Sequence, residues 1–181
     1  LEVGADKLFL FTDASVFGCG GWIGQGESRD KAKPFRFFSA KFNSAQRHYT
    51  TTDQELLAVF VGTKKMREHL VGRPFVVVCD HEPLKTYWQQ PPKQTRRHVR
   101  LWEALSEYDF KWQFIPGKSN SLADALSRLA ELDGADGVDL PAADEPSPSH
   151  DDDEPFTSSV SASHEILIAG LVAALARVER A

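Results

Sequence analysis

The sequence predicts an α/β fold in which helices are layered on a mixed β-sheet, and three observations carry that expectation. The chain opens with strand-like segments linked by short turns; strand-like and helix-like segments then alternate; and residues 75–79, Phe-Val-Val-Val-Cys, form the continuous β-branched run expected of a strand buried on both faces. In order, residues 7–13 are apolar and strand-like, and residues 18–25 follow after a short Gly-containing turn, which predicts a hairpin. Residues 34–40 supply a third strand. The spacing of Leu56, Leu57, Phe60 and Val61 predicts the inner face of a long helix over 52–70, with Gly72 just beyond its end. After the buried strand, residues 83–89 and 96–108 read as two helices separated by the breaker Pro91-Pro92. Residues 110–115 give a fifth strand and 121–129 a closing helix. No internal repeat is visible.

Composition limits what this fold can be. With 181 residues and 41% hydrophobic content the chain has enough for one domain with a proper core, and too little for two large ones. Cys19 and Cys79 are too few for a disulfide framework and are not spaced as a metal-binding pair; both read as buried strand residues of a protein in a reducing compartment. The chain begins at Leu1 with no basic-then-apolar leader, so it reads as a piece of a longer polypeptide without a secretory signal. Its longest apolar run, residues 166–176, is about half of the roughly 20 residues that cross a bilayer, so no membrane span is expected.

Charge is unevenly divided. Residues 1–128 carry 19 Lys+Arg against 14 Asp+Glu, whereas residues 129–181 carry 2 against 12. A basic body suits a polyanionic partner. The expected organisation is a folded domain over 1–130, an acidic disordered linker over 131–162 and an amphipathic helix over 163–181. In that last segment Ile166, Leu167, Leu171, Val172, Leu175 and Val178 recur at helical spacing, and the helix docks on the body, pairs with another chain or begins a following segment.

Four acids stand out. Asp13 ends the first strand, where an Asp also forms turns; Glu55 sits in Thr52-Asp53-Gln54-Glu55, which also fits a helix capping box. Asp80 closes the buried strand, at the sheet edge where open α/β sheets place their ligand crevices. Asp124 interrupts the apolar helical stretch Leu122-Ala123-Asp124-Ala125-Leu126, so it faces a cation or solvent. Four carboxylates drawn together raise one another's pKa, and a divalent cation removes the conflict. An all-oxygen set favours Mg²⁺ or Mn²⁺ over zinc, and two such ions support phosphodiester hydrolysis.

Thr12-Asp13-Ala14-Ser15, the stretch Tyr49-Thr50-Thr51-Thr52-Asp53-Gln54-Glu55-Leu56-Leu57-Ala58-Val59, Cys79-Asp80-His81, and Ile115-Pro116-Gly117-Lys118-Ser119-Asn120 with Leu122-Ala123-Asp124-Ala125-Leu126-Ser127-Arg128 resemble the ribonuclease H domain of a gypsy-class LTR retrotransposon polyprotein. The match is colinear over about residues 7–128. The resemblance implies a ribonuclease H-like fold, a five-stranded mixed sheet with strands one to three antiparallel, flanked by helices. It implies metal-ligand and catalytic roles for Asp13, Glu55, Asp80 and Asp124, with Asp13 bridging two Mg²⁺ ions that Mn²⁺ can replace. The implied substrate is an RNA/DNA hybrid. The implied partners are a reverse transcriptase domain of the same polyprotein and an integrase downstream; the setting is intracellular, a cytoplasmic virus-like particle or the nucleus. The alternative is a non-catalytic tether or hybrid-binding module of a reverse transcriptase, but such domains lose the carboxylates.

Two departures from cellular ribonucleases H bear on substrate handling. Their loop before the last catalytic Asp often carries a His, where this chain has Gly117-Lys118-Ser119-Asn120, and their basic helical protrusion has no room here. Lys118 is either a phosphate contact or a solvated loop Lys. Lys93, Arg96, Arg97, His98 and Arg100, near Trp102, either neutralise phosphates or form the solvent face of an amphipathic helix. Tyr49 is a candidate substrate contact. Trp88 and Trp102 read as core, and His81 as either structural or a support for Asp80.

Overall fold

A computed structural model describes residues 6–89 and 96–129. The expected linker and terminal helix, and Lys93, lie outside the described residues. Five strands form one sheet in the order β3-β2-β1-β4-β5: β1 Lys7–Ala14, β2 Gly18–Gly26, β3 Lys33–Lys41, β4 Phe75–Cys79 and β5 Phe110–Phe114. The β1, β2 and β3 strands pair antiparallel, and β4 runs parallel to both β1 and β5, so the expected mixed sheet is present. The helices are α1 Thr51–Lys65, α2 Arg67–Leu70, α3 Pro83–Gln89, α4 Arg96–Ser106 and α5 Ser121–Leu129. No described helix is long and apolar enough to cross a membrane.

Strand alternation assigns the helices to opposite faces. A Cβ on Gly62 of α1 would lie 2.9 Å from the Phe38 ring and 3.4 Å from Leu10, so α1 covers the face of Leu8, Leu10 and Thr12. A Cβ on Gly20, the β2 partner of Asp13, would lie 2.2 Å from the Leu126 carbonyl carbon, so α5 covers the face of Phe9, Phe11 and Asp13. Because α1 also packs on α3 and α4, it is enclosed: every residue from Asp53 to Thr63 is buried. Sequence periodicity marked only one inner face. On the same side of the sheet, Trp88 of α3 and Trp102 of α4 meet at 6.1 Å and Trp88 packs with Phe110 and Trp112 of β5; all four rings are half-buried, at the margin of the core rather than inside it.

The expected helix over 52–70 is two helices. At Met66 the backbone (φ −105°, ψ 15°) leaves the helical region and its N–H closes α1 on the Gly62 and Lys64 carbonyls, while Met66 and Leu70, four residues apart, are both buried. Gly72, with φ 70°, ends the segment in a conformation that glycine adopts without steric cost. The capping box at Thr52 and Glu55 is also corrected. Thr50 is the cap, its hydroxyl accepting from Asp53 N–H at 3.2 Å, so Glu55 has no part in the helix start.

Candidate metal centre

Asp13 reaches the site from the end of β1, Glu55 from the second turn of α1, and Asp80 from the residue after β4. Parallel pairing of β1 with β4 sets the two strand ends side by side, and burial of α1 against the sheet brings Glu55 to them. One carboxylate oxygen from each of the three lies within 4.8 Å of the others. Asp13 and Glu55 are only 6% and 4% exposed, so water does little to screen their repulsion.

The proton affinities register that conflict. Burial raises Glu55 to about 9, with repulsion from Asp13 and then Asp80 adding to it and a backbone hydrogen bond from Ala14 opposing. Burial likewise raises Asp13 to about 6; the Ser127 hydroxyl opposes, while Asp80 and Asp124 add repulsion. Glu55 Oε2 is buried with no hydrogen-bond partner. A buried acceptor without a donor, inside a cluster of hard oxygen ligands, fits Mg²⁺ or Mn²⁺. The trio therefore passes a physical test for a divalent-ion site.

Asp124 stands outside this trio. Its side chain is 45% exposed and its Oδ1 accepts from Arg128 Nε at 2.9 Å and lies 2.8 Å from a second Arg128 nitrogen. It is near enough to raise Asp13, but its carboxylate is engaged on its own helix. Gly117 approaches Asp80 so closely that a Cβ there would lie 2.8 Å from Asp80 Oδ2, and Lys118 beside it is exposed. His81 Nε2 meets Thr52 Oγ1 at 2.8 Å, tying the Asp80 loop to the start of α1.

The basic stretch of α4 divides. Arg96 is exposed, and Arg100 is half-buried. The Arg97 guanidinium carbon lies over Tyr49, 3.7 Å from the ring centroid, with a nitrogen 3.6 Å from Asp53, and buried His98 bonds Asp53 through Nε2. Arg97 and His98 thus anchor α4 to α1 rather than forming a solvent face. Sequence reading had Arg97 and His98 only as part of a cationic stretch; a buried Asp53 45 residues away leaves no local signal. Ser127 and Asn120 were also passed over. Their hydroxyl and amide donate to Asp13 Oδ2 at 2.7 Å and to the Thr12 carbonyl at 2.9 Å.

Residues 5–108 match the family model described as the RNase H-like domain found in reverse transcriptase. The retrovirus-related Pol polyprotein from transposon 297 of Drosophila melanogaster is 39% identical over 124 residues, covering 68% of this chain and 11% of the relative. The transposon Tf2-3 polyprotein of Schizosaccharomyces pombe is 32% identical over 128 residues, covering 69% of this chain and 10% of the relative. The chain thus spans about a tenth of the length of these curated relatives. Among solved structures, LC11-RNase H1, isolated from compost by a metagenomic approach, superposes with a TM-score of 0.52 at 18% identity, covering 68% of this chain and 94% of that one, which shows the fold. With more than half of its length inside the family model, the chain belongs to the RNase H-like domains found in reverse transcriptases.

Proposed function

We propose that this domain is a metal-dependent endonuclease that hydrolyses the RNA strand of RNA/DNA hybrids during reverse transcription of a retroelement. The observation that carries the reading is the trio of buried Asp13 and Glu55 with half-buried Asp80, in which Glu55 Oε2 lacks any protein donor. These three residues would hold Mg²⁺ or Mn²⁺, with Asp124 as a fourth ligand once freed from Arg128. When bound, two such ions supply Lewis acidity toward both the attacking and leaving oxygens of a phosphodiester.

The chain's own groups do the rest. The trio concentrates negative charge at one end of the sheet, so cation binding and loss of the Glu55 proton are linked. Exposed Arg96 and Lys118 are available to phosphates, and Arg97 is held over Tyr49. A hybrid is distinguished from DNA by 2′-hydroxyls in a wide, shallow minor groove. Two of its relatives are polyproteins about ten times longer than the matched segment, and the family model is of domains found in reverse transcriptase, which supports a reverse transcriptase domain in the same polypeptide; the proposal adds an integrase downstream.

The decisive assay incubates the chain with labelled RNA/DNA hybrid, with and without Mg²⁺ or Mn²⁺, beside Asp80→Asn. Metal-dependent cleavage of the RNA strand by wild type alone is expected. Equal cleavage by both proteins, or none by either when a reverse transcriptase partner is supplied, would overturn the proposal.

A further inference from the structure

The closing helix is held against the end of β1 by more than apolar packing. Asn120, whose carbonyl accepts the Asp124 N–H at the start of α5, donates its side-chain amide to the Thr12 carbonyl at 2.9 Å. Seven residues on, Ser127 donates its hydroxyl to Asp13 Oδ2 at 2.7 Å, and its own carbonyl accepts from Ser15 Oγ at 3.1 Å. These contacts straddle Asp13. Gly20 makes them possible, because any Cβ on that residue would lie 2.3 Å from Ser127 N, and no backbone can give way by that much without α5 lifting off the sheet. All of α5 lies beyond the residues 5–108 that match the family model.

We propose that Ser127 is a positioning residue for the metal centre: its hydroxyl fixes the Asp13 carboxylate in one orientation, and Gly20 provides the gap that lets it do so. The inference rests on the metal-site reading above. An ordinary helical serine satisfies its hydroxyl on a carbonyl one turn back, and Ser127 has that acceptor too, Asp124 O at 2.8 Å. A bland role would end there. The hydroxyl has one proton, however, and Asp13 Oδ2 is the closer acceptor; a bond to a carboxylate is the stronger of the two. Ser127 is fully buried, so no water substitutes for it. The bond occupies one Asp13 oxygen, fixes the carboxylate plane and favours the ionised form, which leaves the second oxygen oriented for a cation.

The test measures Mn²⁺ binding to the full 181-residue chain by calorimetry, together with thermal unfolding. Ser127→Ala and the near-isosteric Ser127→Cys, whose thiol is a poor donor, are each expected to bind Mn²⁺ about 10-fold to 100-fold more weakly than wild type while remaining folded. Leu105→Val, a fully buried change on α4, is the control: it lowers the melting temperature and leaves Mn²⁺ affinity unchanged. Wild-type affinity in folded Ser127→Cys overturns the inference, as does an equal loss in Leu105→Val, which would make the effect one of general stability. A wild-type chain that binds no Mn²⁺ would instead sink the metal-site reading itself, and this inference with it.

Discussion

Replacing Glu55 by Gln keeps the side chain's size and removes its charge, and it is expected to stabilise the metal-free protein. Burial, reinforced by Asp13 and Asp80, raises the Glu55 carboxyl from 4.5 to about 9. The folded chain therefore binds this proton more tightly than the unfolded chain, and stability falls as pH rises between those two values. Near pH 7.5, about three units above the ordinary value, the folded protein still holds the proton, and at about 1.4 kcal/mol per unit the wild type forfeits on the order of 4 kcal/mol. Gln escapes that loss. Its amide gives back part of the gain, about 1–3 kcal/mol if unpartnered, although the Asp13 and Asp80 carboxylates lie near enough to accept from it. The net expectation is a Glu55→Gln protein about 2 kcal/mol more stable near pH 7.5, with the advantage vanishing at about pH 6 and reversed toward pH 4.5. Urea unfolding in EDTA across that pH range measures it. Added Mn²⁺ should reverse the order, because only the wild type gains from binding. A variant no more stable than wild type near pH 8, or one whose advantage does not change with pH, would refute the reasoning.

Other consequences follow from the same structure. Asp53→Ala strands buried His98 and leaves Arg97 without its counter-ion, so it should cost about 2–4 kcal/mol in urea unfolding. Gly62→Ala places a methyl 2.9 Å from the Phe38 ring in an enclosed helix; the expected net loss is about 1–2 kcal/mol despite alanine's better helix propensity, and a gain would show that Phe38 yields freely. Arg96→Ala, at an exposed position, should weaken hybrid binding without altering unfolding, and should reduce the slope of log affinity against log salt by about one.

Much of the fold was legible because burial writes itself into local sequence. The β-branched run of β4 declares a strand covered on both faces, and α3 and α5 begin at Pro83 and Ser121, where the sequence places them. What failed did so where a distant contact outweighed a local rule. The break at Met66 leaves no mark in the periodicity, because buried Met66 and Leu70 stand four residues apart and suit one continuous helix equally well, and the cap fell to Thr50 rather than Thr52 in a run of three threonines that are locally equivalent. The site divides in the same way. Asp13 and Asp80 could be read from strand ends, and their meeting follows from parallel pairing of β1 with β4. Glu55 was the ambiguous acid. The corrected cap removes its competing explanation, and its unpartnered oxygen is a stronger reason to place it in a metal site than any motif. Asp124 moved the other way: read as an acid that must face a cation, it has found one in Arg128. Its carboxylate can join the trio only by giving up that pair, and at 45% exposure the exchange costs about 1 kcal/mol or less. A surface ion pair is thus a weak latch, and a cation held by Asp13, Glu55 and half-buried Asp80 would be ample to open it.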